Sequence, residues 1–443
     1  MTRPERSALF PTAFFLLKET PMSAHQLCSA ALVLLTLFIG SAPASDQIPG
    51  APQRKPIALT NAAIHPITSQ DIPVGTLVFD KGRITAMGAQ VQIPADAEVI
   101  DVQGRHVYPG LIEAHSQLGL REISSTKATL DSYELGQLNP GLLAHVAVNP
   151  DSEVIPVTRA NGVLLTLTAP SGSLVSGQAS VIQLDGWTWE QMTLKPSAAM
   201  VVQWPSSEDE VTTLRKLFAD AKAWQAARGQ SNSRQRYDVQ LDAMQSVLNG
   251  DLPLLIAADT VSRIQAAVAF CAEHKVRMIL FGGYDAPECA ELLRKYEVPV
   301  IVDAIHRDPR RNHDDYDAAF TLPLRLQQAG LSWCISGSGR GETWNTRNLP
   351  YQAGTAIAWG LSHEEALRSI TLYPAQILGI ADRVGSLAVG MDATLIVTEG
   401  DPLETASHVT RAWIQGRRVD LTSRHTQLRD KYTEKYRQLR DTP

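Results

Sequence analysis

Cysteine is scarce. Cys28, Cys271, Cys289 and Cys334 are the only four in 443 residues, and they form no C-x-x-C pair and no Cys/His zinc spacing. A disulfide scaffold and a cysteine-built metal module are therefore excluded. Cys271 and Cys289 fall on adjacent helical segments, where pairing stays open and buried free thiols are the expected state. No G-x-G-x-x-G follows any strand-like run, which argues against a dinucleotide site. There is no surplus of basic residues: 40 Lys and Arg stand against 46 Asp and Glu, a formal charge of −6, so nothing electrostatic favours a nucleic-acid partner. The apolar run at 27–40 is too short for a comfortable membrane span.

That run reads instead as the core of a targeting segment over residues 1–44, with Ala42-Pro43-Ala44 as a small-x-small cleavage pattern before Ser45. A start at Met1 supplies Arg3, Arg6 and Lys18 to the leading region, whereas a start at Met22 supplies no Lys or Arg, and the choice between them stays open. The expectation is export, to the periplasm, with an N-terminal anchor as the alternative. What remains is long enough for about two to three domains or for a barrel with a satellite. Its 44% hydrophobic and 19% charged content suits a sizeable core.

Residues 45–108 read as short strands and turns, with Lys81-Gly82 as a hairpin turn, and residues 384–422 read the same way. Each flank is short for a core of its own, so the two are expected to build one composite β-sandwich domain, with separate domains as the alternative. Between them, over 109–383, β-branched apolar runs near 111, 162–168, 179–184, 198–203, 252–257, 277–281, 298–302 and 331–335 alternate with helical patterns. Such alternation predicts an α/β fold with a parallel sheet covered on its outside. A (β/α)8 TIM-like barrel is the leading architecture and a doubly wound open sheet the alternative. Residues 423–443 read as a solvated terminal helix rich in Arg, Lys, Glu and Gln.

The stretch that organises the chain is 107–120, VYPGLIEAHSQLGL. Pro109-Gly110 marks a junction between units, and the run after it reads as a buried strand with polar groups at its end. It resembles the first barrel strand of the amidohydrolase superfamily, P-G-L-I-D-x-H-x-H. Residues 347–382, with EALRSITLYPAQILG, resemble the helices that close the barrel in imidazolonepropionase-like amidohydrolases, and GSLAVGMDATLIVTEGDP at 385–402 resembles the family's return into the sheet domain. The resemblance covers nearly all of the chain after residue 44. It implies hydrolysis of C–N bonds in cyclic or dipeptide-like amides, with zinc or another divalent ion held by two strand-1 histidines, histidines on strands 5 and 6, an aspartate on strand 8 and, in some relatives, a lysine on strand 4.

Set against that pattern, His115 keeps its position and Gln117 stands where the second histidine belongs. The runs ending at Gln203, Ala258, Gly283 and Gly339 hold no lysine, histidine or aspartate at the remaining positions. One imidazole cannot hold a catalytic ion that needs three or four ligands, so no cofactor is expected and His115 is the only retained ligand position. The polar groups expected at the strand ends, hence the candidate pocket, are His115, Gln117, Asp259, Tyr284, Asp285, Asp303, His306 and Arg340. The loop 303–317, dense in charge, reads as an exposed loop of balanced sign rather than a rebuilt site. Glu113 reads as a local cap or pair, and His145, His274, His363 and His408 as surface or helix-end residues. Two functions remain. One is a hydrolase of amide-type bonds with an unusual site. The other is an inactive relative, a pseudoenzyme, that binds a small molecule or pairs with an active homologue as a heterodimer; a homo-oligomer also fits.

Overall fold

The computed structural model describes residues 47–228, 236–337 and 343–441. The expected targeting segment at 1–44 and the pocket candidate Arg340 lie outside the described residues.

Two eight-stranded sheets make up the fold. The first begins with β1 (Ile57–Ile64), β2 (Ile72–Asp80), β3 (Arg83–Gly88), β4 (Glu98–Asp101) and β5 (His106–Pro109). The second contains β6 (Leu111–Ser116), β7 (Val163–Thr168), β8 (Val175–Gln183), β9 (Thr193–Gln203), β10 (Leu254–Ala258), β11 (Met278–Gly282), β12 (Val300–Asp303) and β13 (Trp333–Ser336). The chain then returns to the first sheet with β14 (Leu395–Thr398), β15 (Val409–Ile414) and β16 (Arg417–Val419).

The first sheet is composite because β14 pairs antiparallel with β5, Leu395 opposite Pro109 through Thr398 opposite His106. It is one hydrogen-bonded sheet in the order β16-β15-β14-β5-β1-β2-β3 rather than the two facing sheets of the expected sandwich. The reason is local. β1 pairs with β4 along its first half and with β5 along its second, so the strands that would have formed a second layer share one edge. Alternation of apolar residues supplies a core on one face, where Phe79 meets Trp413 edge-on at 5.8 Å among Leu59, Ile84 and Leu395.

The second sheet curls into a nearly closed barrel in the order β6 to β13. Its strands are almost wholly buried, as continuous β-branched runs require when helices cover the outside. One strand departs from the expected all-parallel barrel. β8 runs antiparallel to both β7 and β9. Only residues 169–174 separate β7 from β8, and 184–192 separate β8 from β9; a parallel crossover needs a dozen or more residues, so both links can only be hairpin-like.

The gap between β13 and β6 is stitched by residues that sequence periodicity assigns to a helix. The helical pattern of the sequence, continuous over 363–372, is broken into two helices, His363–Arg368 and Leu372–Ile377. Between them Ser369 accepts the N–H of Ile335 on β13 (3.1 Å), and Ile370 accepts the N–H of Ile112 on β6 (2.8 Å). Breaking the helix there satisfies two barrel-edge donors that would otherwise be buried unpaired.

Sheet and barrel belong to one compact unit from Gln47 onward. A buried ionic cluster ties them together. Asp185, after β8, receives Arg159 (3.2 Å) and Arg417 of β16 (3.0 Å), with side chains only 1%, 5% and 15% exposed. The backbone N–H of Gly50 also donates to Asp185, at 3.2 Å. Cys271, Cys289 and Cys334 are buried free thiols.

Candidate functional site

The polar end of β6 lies inside the barrel. Residues 113 and 115 share a strand face, and both look inward. Glu113 is fully buried and accepts the N–H of Gly337, just past β13, at 2.8 Å, and that of His115 at 3.1 Å. Burial raises its carboxyl to about 7, against the pull of Ser336 and those two backbone donors. Besides its local bond to His115, Glu113 is a clamp across the barrel seam. Its position in an apolar run, four residues after Pro109, carries no sequence signal for that role.

His115 lies flat against the Phe281 ring of β11, with ring centroids 3.8 Å apart and planes 22° off parallel. Burial drives its pKa down to about 4, so the imidazole is neutral at neutral pH. Gln117 turns away from His115. Its amide donates to Ser171 Oγ at 2.7 Å, and its carbonyl accepts from Arg121 at 3.4 Å.

The remaining candidates separate into two groups. Asp259, Tyr284 and Asp285 follow β10 and β11 and meet the loop after β12. Asp259 pairs with Arg310. Asp285 takes both terminal nitrogens of Arg311, at 3.1 and 2.7 Å. Arg311 also reaches Asp314 at 2.8 Å, and Asp314 accepts the Tyr284 hydroxyl at 3.0 Å. Asp303 faces Arg307 at 3.7 Å, whose guanidinium lies 5.1 Å from the centre of the Tyr284 ring. The loop expected to be an exposed run of balanced charge is largely exposed, and its charges pair in an arginine–carboxylate lattice around one tyrosine. The same balance of sign that suggested exposure lets the charges pair. His306 stands apart, bonded to Thr355 at 2.8 Å. Sequence reasoning missed Arg307, Arg310 and Arg311, although three arginines in five residues after a barrel strand were the available signal. Nε and Nη2 of Arg307 are buried and lack a hydrogen-bond partner among the described residues. His145, read as a surface residue, is buried; a short 3-10 turn carries it inward to Ser180 Oγ at 3.0 Å.

A divalent ion of the kind the barrel's resemblance implies needs three or four N or O ligands converging on one point. Among the described residues no group of three or more His, Cys, Asp or Glu is placed to do so. Gln117 is committed to Ser171, Asp259 to Arg310, and β11 ends in Gly282. Among the described residues the donor set does not fit the group.

Comparison with known proteins agrees with the architecture. The profile of the amidohydrolase family matches residues 347–420. The chain is 21% identical over 393 residues to amidohydrolase tasK of Hapsidospora irregularis, a match covering 77% of this chain and 39% of that protein. It is 34% identical over 87 residues to an imidazolonepropionase of Syntrophobacter fumaroxidans, covering 19% of this chain and 20% of the relative. The chain therefore spans well under half the length of the curated relatives it matches. Among solved structures, an amidohydrolase from Thermotoga maritima is 25% identical with a TM-score of 0.77, covering 82% of this chain and 99% of that one. Molinate hydrolase, at 14% identity and a TM-score of 0.53, shares the fold. A barrel and composite sheet of this build, matched along its length by an amidohydrolase structure and carrying the family's segment at 347–420, belong to the amidohydrolase superfamily.

Proposed function

We propose that this chain binds a small amide- or carboxylate-bearing molecule at the barrel mouth and does not hydrolyse it by the metal-assisted route of its family. The observation that carries this reading is the state of His115. The one histidine at an expected ligand position is packed against Phe281, and no group of three or more His, Cys, Asp or Glu among the described residues is placed to hold an ion. Water activation by a bound ion requires that set, so no step is derived through a metal. The residues present do offer recognition. The Arg307 guanidinium lies over the Tyr284 ring, and its buried Nε and Nη2 have no hydrogen-bond partner among the described residues, so a shift of the charged loop would free two donors for a carboxylate or amide oxygen. The names of the relatives, imidazolonepropionase and molinate hydrolase among them, point to ligands built around C–N bonds.

The test is metal analysis of the purified full chain grown with zinc and manganese supplied, alongside calorimetric titration with N-acyl amino acids. The expected result is no stoichiometric metal, together with binding that weakens roughly tenfold or more in Arg307→Met, as loss of a charge-assisted pair implies. About one ion per chain, lost in His115→Ala, with turnover of an amide substrate would overturn the reading. Export belongs to the same proposal, and cell fractionation checks it.

A further inference from the structure

The helix Arg424–Asp441 carries a surface that no other described part of the protein covers. Its start is anchored: Ser423 is buried, its N–H donates to Thr426 Oγ1 at 2.8 Å, and His425 pairs with Arg347. From 427 through 440 every residue is exposed. The exposed set includes Leu428 (38%), Tyr432 (48%), Tyr436 (59%) and Leu439 (60%). At about 100° per residue these four fall within about 80° of one another, which makes a single stripe. Arg424, Lys431 and Lys435 lie along one border of the stripe, and Arg429 and Arg440 along the other. The acids Asp430 and Glu434 lie on the opposite face, where Glu434 pairs with Arg437 at 2.8 Å. Lys435 reaches over the rings of Tyr432 and Tyr436, at 5.7 and 5.9 Å. Arg424, Lys431, Lys435 and Arg440 have no carboxylate partner among the described residues. The segment holds six Arg and Lys against three Asp and Glu, in a chain whose formal charge is −6.

We propose that this helix docks on an anionic lipid surface, lying in the plane of the headgroups with its Leu and Tyr stripe turned into the membrane. The ordering of charge around the stripe selects this partner. A lipid interface offers an apolar layer and a sheet of negative charge together, and the two cationic borders meet that charge while the acids face water. A second copy fits poorly. Two such stripes laid together would set the cationic borders of one helix against those of the other, which like-charge repulsion opposes. Phosphates of a nucleic acid would satisfy the cations and leave the apolar stripe in water.

Sedimentation of the full chain with vesicles tests the proposal, using equal parts phosphatidylglycerol and phosphatidylcholine in one arm and phosphatidylcholine alone in the other. The wild type is expected to bind the anionic vesicles at least about tenfold better than the neutral ones, and to lose that binding at high salt. The double variants Lys431→Glu with Lys435→Glu, and Tyr432→Ser with Tyr436→Ser, are each expected to lose at least about tenfold on the anionic vesicles. All four side chains are exposed, so unchanged thermal unfolding confirms that the fold is intact. Equal binding to both vesicle types, or variants that bind as the wild type does, overturns the proposal. The second outcome would place any membrane affinity elsewhere, for example in the apolar run at 27–40. Variant-sensitive association of the chain with itself, or with duplex DNA, in the absence of vesicle binding also overturns it.

Discussion

Glu113 shows how much one buried carboxyl can control. It stands on β6, and its oxygens hold the N–H groups of His115 and Gly337, so it joins the first barrel strand to the last. Its folded pKa, about 7, lies above the ordinary value of 4.5 because burial disfavours the charge. A raised pKa means that the folded state holds the proton more tightly than the unfolded one. That stabilisation is complete below about pH 4.5 and is lost as pH rises through about 7. Its size is on the order of 3 kcal/mol. Denaturant unfolding at pH 5 and pH 8 should therefore show the wild type losing more stability over this interval than Glu113→Gln, which cannot ionise. The same slope in both proteins would show that Glu113 does not titrate at the seam. His115, two residues on, is shifted the other way by the same burial, to about 4, so the pair presents a carboxyl near its midpoint beside a neutral imidazole at neutral pH.

Among the elements, β11 shows why a histidine at its tip is disfavoured. The strand ends at Gly282, whose φ is +94°, in a region that L side chains rarely adopt. A Cβ there would lie 2.6 Å from Asp259 Oδ1, a carboxylate already held by Arg310. Gly282→His, even combined with Gln117→His, should therefore bind no stoichiometric zinc, and backbone strain alone should cost about 1–2 kcal/mol. Metal analysis and thermal unfolding check both statements, and a zinc-loaded double variant would refute the first. β8 teaches a related lesson. Its apolar residues fit a barrel strand of either direction, and only the short links on both sides decide that it runs antiparallel.

For the molecule as a whole, Asp185 adds an ionic link between barrel and composite sheet to the apolar contact made by Ile396, Ala412, Ile414 and Val419. Arg159 beside β7, Arg417 on β16 and the N–H of Gly50 all converge on it in a nearly dry setting. Such a cluster adds little compared with an apolar replacement of the same shape, but removing one partner strands the others. Asp185→Ala leaves Arg159, 5% exposed, without its carboxylate ion pair and dependent on carbonyl oxygens and the charge of Asp420. The expected loss is about 3–5 kcal/mol in chemical denaturation. Because β16 is held by only three pairings to β15, the variant should also raise hydrogen exchange in β15 and β16 before the barrel strands respond. Uniform exchange across both sheets would argue against this order.

Much of the protein was legible from residue order alone. The long motifs at 347–382 and 385–402 placed the chain in its superfamily because their glycines, prolines and acids shape turns and caps, which is local chemistry. The buried runs identified the barrel strands because a strand covered on both faces must be apolar throughout. The sequence also exposed Gln117 as a departure, since a ligand pair at fixed spacing is a local pattern. What it could not provide was anything that depends on residues far apart in the chain. The seam made by Ser369 and Ile370, the clamp from Glu113 to Gly337 and the arginine lattice around Tyr284 each join groups distant in sequence. Periodicity reports which side of an element is buried; only the folded chain decides which distant group it is buried against.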